Sequence, residues 1–133
     1  MGAPAYPTAK ELARASDVLV LAASVNPSTR RMIDRSVLDA LGPDGYLINI
    51  ARGALVDEDE LIVALREKRI AGAGLDVFET EPCTPATFAD IPNVVLTPHA
   101  GTATQETRSA MTQLLLANVD AFLEGTALVS PLT

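Results

Sequence analysis

An α/β fold, in which a parallel sheet carries helices on its faces, is the class this sequence predicts, and three observations predict it. Short unbroken apolar runs alternate with segments of helical character; capping-box spacings open several of the latter; and Gly/Pro clusters separate the elements. The 133 residues, 48% hydrophobic and 20% charged, can bury the core of one modest domain.

The elements follow in order. Thr8 and Glu11 have capping-box spacing, which predicts a short helix over 9–15 before Ser16-Asp17 interrupts it. Val18 to Ala23 is a six-residue apolar run with Asp ahead and Ser24, Asn26 and Pro27 behind, and predicts a strand buried on both faces. Ser28 or Thr29 starts a helical turn, Asp34 caps a second short helix through Leu41, and Gly42-Pro-Asp-Gly45 makes a turn. Tyr46 to Ala51 repeats the strand signal. Asp57 and Glu60 form another capping box. Its acidic residues lie at the positive end of a helix over 58–68, with Arg66, Lys68 and Arg69 near the negative end.

Ile70 to Val77 returns to strand character, thinned by Gly72 and Gly74 in a way that implies close approach of a neighbour or ligand. Glu79 to Asn93 is a proline-rich loop with one turn around Ala86 to Ala89, and Val94 to Thr97 is a last short strand. Thr104 to Leu123 carries apolar residues at 111, 114, 115, 119 and 122, near helical period, and Gly125 supplies the stop. No repeat, low-complexity segment or linker divides the chain.

Composition narrows the chemistry. Seventeen acidic against ten basic residues give a net charge of −7, which disfavours nucleic acid and anionic membrane surfaces as partners. No apolar run reaches the roughly 18 residues needed to span a bilayer, and the first ten residues have no apolar stretch of signal-peptide length, so a cytoplasmic location is expected. One cysteine, Cys83, and one histidine, His99, provide neither an intrachain disulfide nor a His/Cys metal cluster. No metal site is expected.

In open parallel sheets, ligands bind outside the carboxyl ends of the strands. The predicted strands are followed by Ser24, by Arg52-Gly53, by Asp76 and by His99. Each has a plain structural reading: Ser24 as a loop or cap residue, Arg52 in a surface pair with Asp57 or Glu58, Asp76 capping a turn, His99 as a structural histidine, Glu79 and Glu81 as solvated loop carboxylates. Together, arginine, carboxylate and imidazole at one sheet edge make a coherent catalytic set. A dinucleotide fingerprint is not among them. Gly72-Ala-Gly74 starts the G-x-G-x-x-G pattern, but Val77 stands where the third glycine belongs and no helix follows, so these glycines serve strand packing.

The segments NIARGALVDEDEL (Asn49 to Leu61), AGAGLDVFETEP (Ala71 to Pro82) and NVVLTPHAGTAT (Asn93 to Thr104) together resemble the D-isomer-specific 2-hydroxyacid dehydrogenases. Their order and spacing match from about Leu12 to Leu128. Within that family, YLINIARG and GLDVFETEP look most like the glyoxylate/hydroxypyruvate and hydroxyphenylpyruvate reductases. The resemblance implies a partial Rossmann-type sheet lacking the glycine-loop half. It implies NAD or NADP as cofactor, a small 2-oxo acid or 2-hydroxy acid as substrate, and a homodimer built around this domain.

It also implies roles. Arg52 binds the substrate carboxylate and polarises its carbonyl, His99 donates the proton, and Glu81 orients His99. Ser24, Ile50, Ala51 and Asp76, with Arg52, lie against the ribose and nicotinamide side of the cofactor, with Gly101 near it. The chemistry agrees. A guanidinium offers parallel donors that match a 2-oxo acid at two points. A carboxylate beside an imidazole favours the imidazolium, and the hydride comes from the nicotinamide because no side chain supplies one.

One departure stands against the match. The family's glycine fingerprint, and the residue that tells NADH from NADPH, lie upstream of the segment corresponding to Ala15-Ser16-Asp17, and little chain precedes it here. The chain therefore reads as a single partial NAD(P)-binding domain over 1–133, with 126–133 as a C-terminal return segment, and Val18 to Ala23 becomes an apolar edge without its usual neighbour. Two functions remain open: a partial dehydrogenase that acts only within a longer or complemented polypeptide, and a non-catalytic binding or interaction module. A family-related corepressor that senses cofactor is a third.

Overall fold

The structure of the chain, a computed structural model, describes residues 4–83 and 85–131. It forms two compact units, Met1–His99 and Ala100–Thr133.

The first unit runs α1 (Ala9–Arg14), β1 (Val18–Leu21), α2 (Arg35–Leu41), β2 (Tyr46–Asn49), α3 (Glu58–Arg66), β3 (Gly72–Leu75) and β4 (Val94–Leu96). The caps are those the sequence marks. Thr8, Asp34 and Asp57 each accept from the backbone N–H three residues on, so each helix starts where a side chain satisfies an otherwise unpaired donor. The proline-rich loop has one short 3₁₀ turn, Pro85–Thr87.

All four strands are parallel in the order β1-β2-β3-β4, with Leu19, Leu47, Ala73 and Val94 in one register row and Leu21, Asn49, Leu75 and Leu96 in another. Parallel neighbours need crossovers, and α2 and α3 provide the first two. Leu19, Leu21, Leu47, Ala73 and Leu75 are buried in one cluster with Ala13 of α1, Val37, Leu38 and Leu41 of α2, and Leu61, Ala64 and Leu65 of α3.

The burial of β1 on both faces is not observed. Its pattern alternates, with Val18 and Val20 half exposed while Leu19 and Leu21 are buried. Tyr46 and Val95 on the same outer face are also exposed. The cause is that α1, α2 and α3 share a single core cluster, so the apolar run codes for two covered faces and one is covered within this unit. Each strand is also shorter than its apolar run, because hydrophobicity continues into the turns that leave the sheet.

Gly72 and Gly74 serve neighbours and not a phosphate. A Cβ at Gly72 would fall 2.8 Å from the Asn93 carbonyl oxygen, and one at Gly74 3.0 Å from Ile48 Cδ1.

The second unit is dominated by α4 (Gln105–Glu124), capped by the Thr104 hydroxyl. Gly125 ends it in the left-handed conformation (φ 69°), where Thr126 N–H donates to the Ala121 carbonyl. The following segment folds back on the helix: Asn118 Nδ2 donates to Ser130 Oγ at 2.9 Å, and Ser130 N–H donates to Asn118 Oδ1 at 3.2 Å. Residues 132 and 133 of the expected return segment lie outside the described residues. Of the apolar residues at helical period, Met111, Leu115 and Phe122 are more than half exposed. Among the described residues no helix is long and apolar enough to cross a membrane.

Candidate active site

The carboxyl end of β2 builds the first part of the site. Asn49 is 1% exposed, and its amide shapes the turn that follows: Oδ1 accepts from Ala51 N–H (3.1 Å) and Nδ2 donates to the Arg52 carbonyl (3.0 Å). Its own carbonyl accepts from Asp76 N–H at 3.0 Å, tying this turn to the end of β3. The backbone between is thus held from both sides, and Arg52 projects outward from it as an exposed side chain. Arg52 forms no ion pair among the described residues, so the surface pair with Asp57 or Glu58 is not made. Asp57 faces Arg31 instead, and Glu58 Oε2 accepts from Glu79 N–H.

The loop after β3 supplies the acid. Glu81 Oε1 accepts from Phe78 N–H (3.0 Å) and Oε2 lies 2.8 Å from His99 Nδ1. The hydrogen bond from His99, the Phe78 N–H and, more distantly, the charge of Arg52 hold the Glu81 carboxyl below the usual carboxylate range. Arginine, carboxylate and imidazole, spread over 48 positions of sequence, therefore converge on one edge of the sheet. An ionised carboxylate only accepts, so Nδ1 is the protonated nitrogen of this contact and Nε2 is left free to exchange a proton elsewhere. His99 itself has a left-handed backbone (φ 53°), with its N–H donating to the Thr97 carbonyl.

Two clefts open along this edge. One, of about 530 Å³, is lined by Ala22 to Val25 beyond β1 and Ile50 to Arg52 beyond β2, so it brings together Ser24, Ile50, Ala51 and Arg52. The other, of about 580 Å³, is bounded by Phe78, Glu81, Pro82, Cys83, Leu96 and His99, among others. Burial pushes the Cys83 thiol up, so it stays protonated there. Asp76 is drawn inward: it is buried, and Thr97 Oγ1 donates to its Oδ1. Gly101 belongs to the second unit, where it is exposed in the turn before α4. No group of three or more His, Cys, Asp or Glu side chains able to hold a metal ion occurs among the described residues.

The sequence reading missed two residues that hold this edge together, Asn49 and Arg31, and gave Glu79 only as a solvated loop carboxylate. Asn49 was hidden inside an apolar run, and its signal is that it is the one polar residue there. Arg31 and Glu79 pair across 48 positions, with Arg31 Nη2 at 2.9 and 3.1 Å from the two Glu79 oxygens and Nη1 at 3.4 Å from Asp57 Oδ2. No spacing rule finds a pair that far apart.

Comparison with known proteins gives the same answer over nearly the whole chain. Residues 2–101 match the model of the D-isomer specific 2-hydroxyacid dehydrogenase, NAD binding domain. The chain is 52% identical over 126 residues to the glyoxylate/hydroxypyruvate reductase A of Arabidopsis thaliana, covering 95% of this chain and 40% of that protein. It is 51% identical over 126 residues to the hydroxyphenylpyruvate reductase of Plectranthus scutellarioides, again covering 95% and 40%. Among solved structures, the NADPH-dependent glyoxylate/hydroxypyruvate reductase of Sinorhizobium meliloti, in complex with NADP and malonate, superposes with a TM-score of 0.87 at 42% identity, covering 96% of this chain and 40% of that one. The chain thus spans about 40% of the length of these relatives. The edge that gathers Arg52, Glu81 and His99 stands on a sheet of the kind these relatives share, and the chain belongs to the D-isomer-specific 2-hydroxyacid dehydrogenase family, within its NAD-binding domain.

Proposed function

We propose that this chain carries the catalytic half of a cofactor domain that reduces a small 2-oxo acid of the glyoxylate/hydroxypyruvate class to the D-2-hydroxy acid with NADH or NADPH. The observation that carries the reading is the Glu81–His99 contact, made at the sheet edge where Arg52 also projects. The cleft beyond β1 and β2 fits the nicotinamide end of such a cofactor. It is walled by small residues (Ala22, Ala23, Ser24, Ala51) together with Val25 and Arg52, and Ile50 presents a 60% exposed aliphatic face there. Ser24, Ile50, Ala51 and Arg52 would hold that end, and Asp76 would brace the wall behind it. When bound, the nicotinamide supplies the hydride.

The chain's own residues do the rest. Arg52 takes the substrate carboxylate in a two-point contact and leaves the ketone polarised beside it. Glu81, held by Phe78 N–H, fixes the ring of His99 through Nδ1. His99 then delivers a proton from Nε2 to the oxygen that becomes the alcohol, and takes one back in the reverse direction. In the full-length form a homodimer and a cytoplasmic location belong to the same reading.

The test is a chimera in which this chain replaces the corresponding C-terminal part of the Arabidopsis reductase. It is expected to reduce glyoxylate or hydroxypyruvate with NAD(P)H, and to lose that turnover on His99→Ala. The 133-residue chain by itself is expected to show no appreciable turnover, because G-x-G-x-x-G does not occur in it and pyrophosphate binding depends on that loop. A chimera that turns over equally well without His99 would sink the reading, and one that folds and binds cofactor without any turnover would favour a non-catalytic module.

A further inference from the structure

Three described non-glycine residues have left-handed backbone: Arg31 (φ 50°), Lys68 (φ 56°) and His99 (φ 53°). Such a conformation persists only where the surroundings over-determine it. Lys68 follows a helix end, where it is ordinary. His99 is in the proposed site. Arg31 is in neither place, and its surroundings account for its conformation. Its N–H donates to the Ala54 carbonyl (2.9 Å), while Ile33 and Val56 form a parallel bridge, so the 31–33 segment lies alongside the chain that leaves Arg52. The guanidinium is thereby aimed at Glu79 and Asp57.

Glu79 is also the residue whose N–H donates to Glu58 Oε2 (2.9 Å). One residue before it, Phe78 N–H donates to Glu81, and the Phe78–Glu79 peptide lies directly against Gly53, the neighbour of Arg52. The loop that carries Glu81 is therefore pinned by its side chain to Arg31 and by its backbone to the start of α3. The same loop packs against the turn that carries Arg52, through Gly53.

From this geometry we infer that Arg31, acting through Glu79, is a positioning residue. The ion pair fixes the Phe78–Glu81 turn and so sets the aim of Glu81 at His99. Arg31 touches neither Glu81 nor His99 itself. The role deepens the reductase reading and rests on it. Lysine would keep the charge but not the reach to Glu79 and Asp57 together, because one ammonium replaces two forked nitrogens.

His99 is the single histidine, so its ring ¹⁵N and Nδ1-proton signals in the 133-residue chain report the Glu81 contact directly. The unaltered chain is expected to show an Nδ1–H with slowed exchange. Arg31→Met and Glu79→Gln should each speed that exchange about fivefold or more, the scale of one lost charge-assisted contact. Arg31→Lys should fall between. Arg69→Met, which removes the ion pairs to Asp39, Glu60 and Glu67 elsewhere in the unit, should leave the signals unchanged. In the chimera, Arg31→Met should lower kcat about tenfold with cofactor KM unchanged, and the Arg31→Met/Glu79→Gln double variant should be no worse than either single one.

Unchanged His99 signals in Arg31→Met would overturn the role, as would an equal change in Arg69→Met. If Arg31→Met does not fold, Glu79→Gln decides by the same signals, since it keeps the shape of the loop. A chimera lacking His99-dependent turnover overturns the reductase reading alone, and the ring signals still decide whether Arg31 positions Glu81.

Discussion

Gly53 lies so close to the backbone of Phe78 that a Cβ on Gly53 would stand 1.9 Å from the Phe78 carbonyl carbon and 2.3 Å from Glu79 N. Only a hydrogen fits, and the neighbours are peptide atoms that no rotamer change can move. Gly53→Ala must therefore push the Phe78–Glu81 loop away from the turn that bears Arg52. The expected cost is about 3 kcal/mol or more of unfolding free energy, the range for a buried overlap without a flexible partner. Urea denaturation of the 133-residue chain measures it, and a change under 1 kcal/mol would show that the two loops are not in contact.

Glu81 predicts a pH dependence with a definite sign. Its carboxyl sits below the usual range in the folded chain, first because His99 donates to it, so protons bind more readily to the unfolded form. The contribution of the pair is complete above the ordinary carboxylate range and is lost as pH falls through the lowered value. Titration of the Glu81 carboxyl carbon by NMR should show the depressed midpoint, and the His99 Nδ1–H signal should disappear over the same interval. In the chimera, Glu81→Gln should reduce kcat about 100-fold or more, because the ring loses its fixed orientation. A carboxyl titrating at its ordinary value would exclude the contact.

Helix starts and the sheet's connectivity were legible, and for a local reason. Thr8, Asp34 and Asp57 cap with their own side chains three residues on, and Gly125 stops α4 by a conformation that suits glycine. Such signals need no knowledge of the rest of the chain. Arg52 and His99 were legible because strand ends in a parallel sheet face one way. What covers a face was not legible. Val18 and Val20 carry the same apolar character as Leu19 and Leu21, yet only the latter meet helices. The Arg31–Glu79 pair was hidden for the opposite reason: its partners meet only after three strands are aligned, and nothing within either one's neighbourhood reports the other.

Lys68 offers a stabilising change. It follows α3 in the left-handed region (φ 56°), its N–H donates to the Leu65 carbonyl, and Arg69 N–H donates to Ala64. A lysine Cβ is crowded in that conformation and a glycine is not. Lys68→Gly should raise stability by about 0.5–1 kcal/mol, the relief of the left-handed penalty less the entropy glycine gains when unfolded. Thermal unfolding should show a small rise in Tm with cofactor binding in the chimera untouched. A fall in Tm would mean that the lysine side chain makes a contact worth more than the backbone relief.

Asn49 joins stability to the site more tightly than any other polar residue of the sheet. Its side chain satisfies Ala51 N–H and the Arg52 carbonyl while being shut off from solvent. Asn49→Ala leaves Ala51 N–H without its partner and the Arg52 carbonyl with Leu55 N–H alone, and the loss of a donor's only partner costs about 1–3 kcal/mol. Relaxation of the 50–52 turn toward solvent recovers part of that, so a net loss of about 1–2 kcal/mol in urea is expected. The functional effect should exceed the stability effect in a particular way. The turn that relaxes is the one that aims Arg52, so in the chimera substrate KM should rise while the His99 Nδ1–H signal of the isolated chain persists. Asn49→Asp separates the two contributions, since it keeps the acceptor for Ala51 and loses the donor for Arg52. If Asn49→Ala left substrate KM unchanged at full folding, Arg52 would have to be held by something other than this turn, and the two-point binding of the carboxylate would need a different anchor.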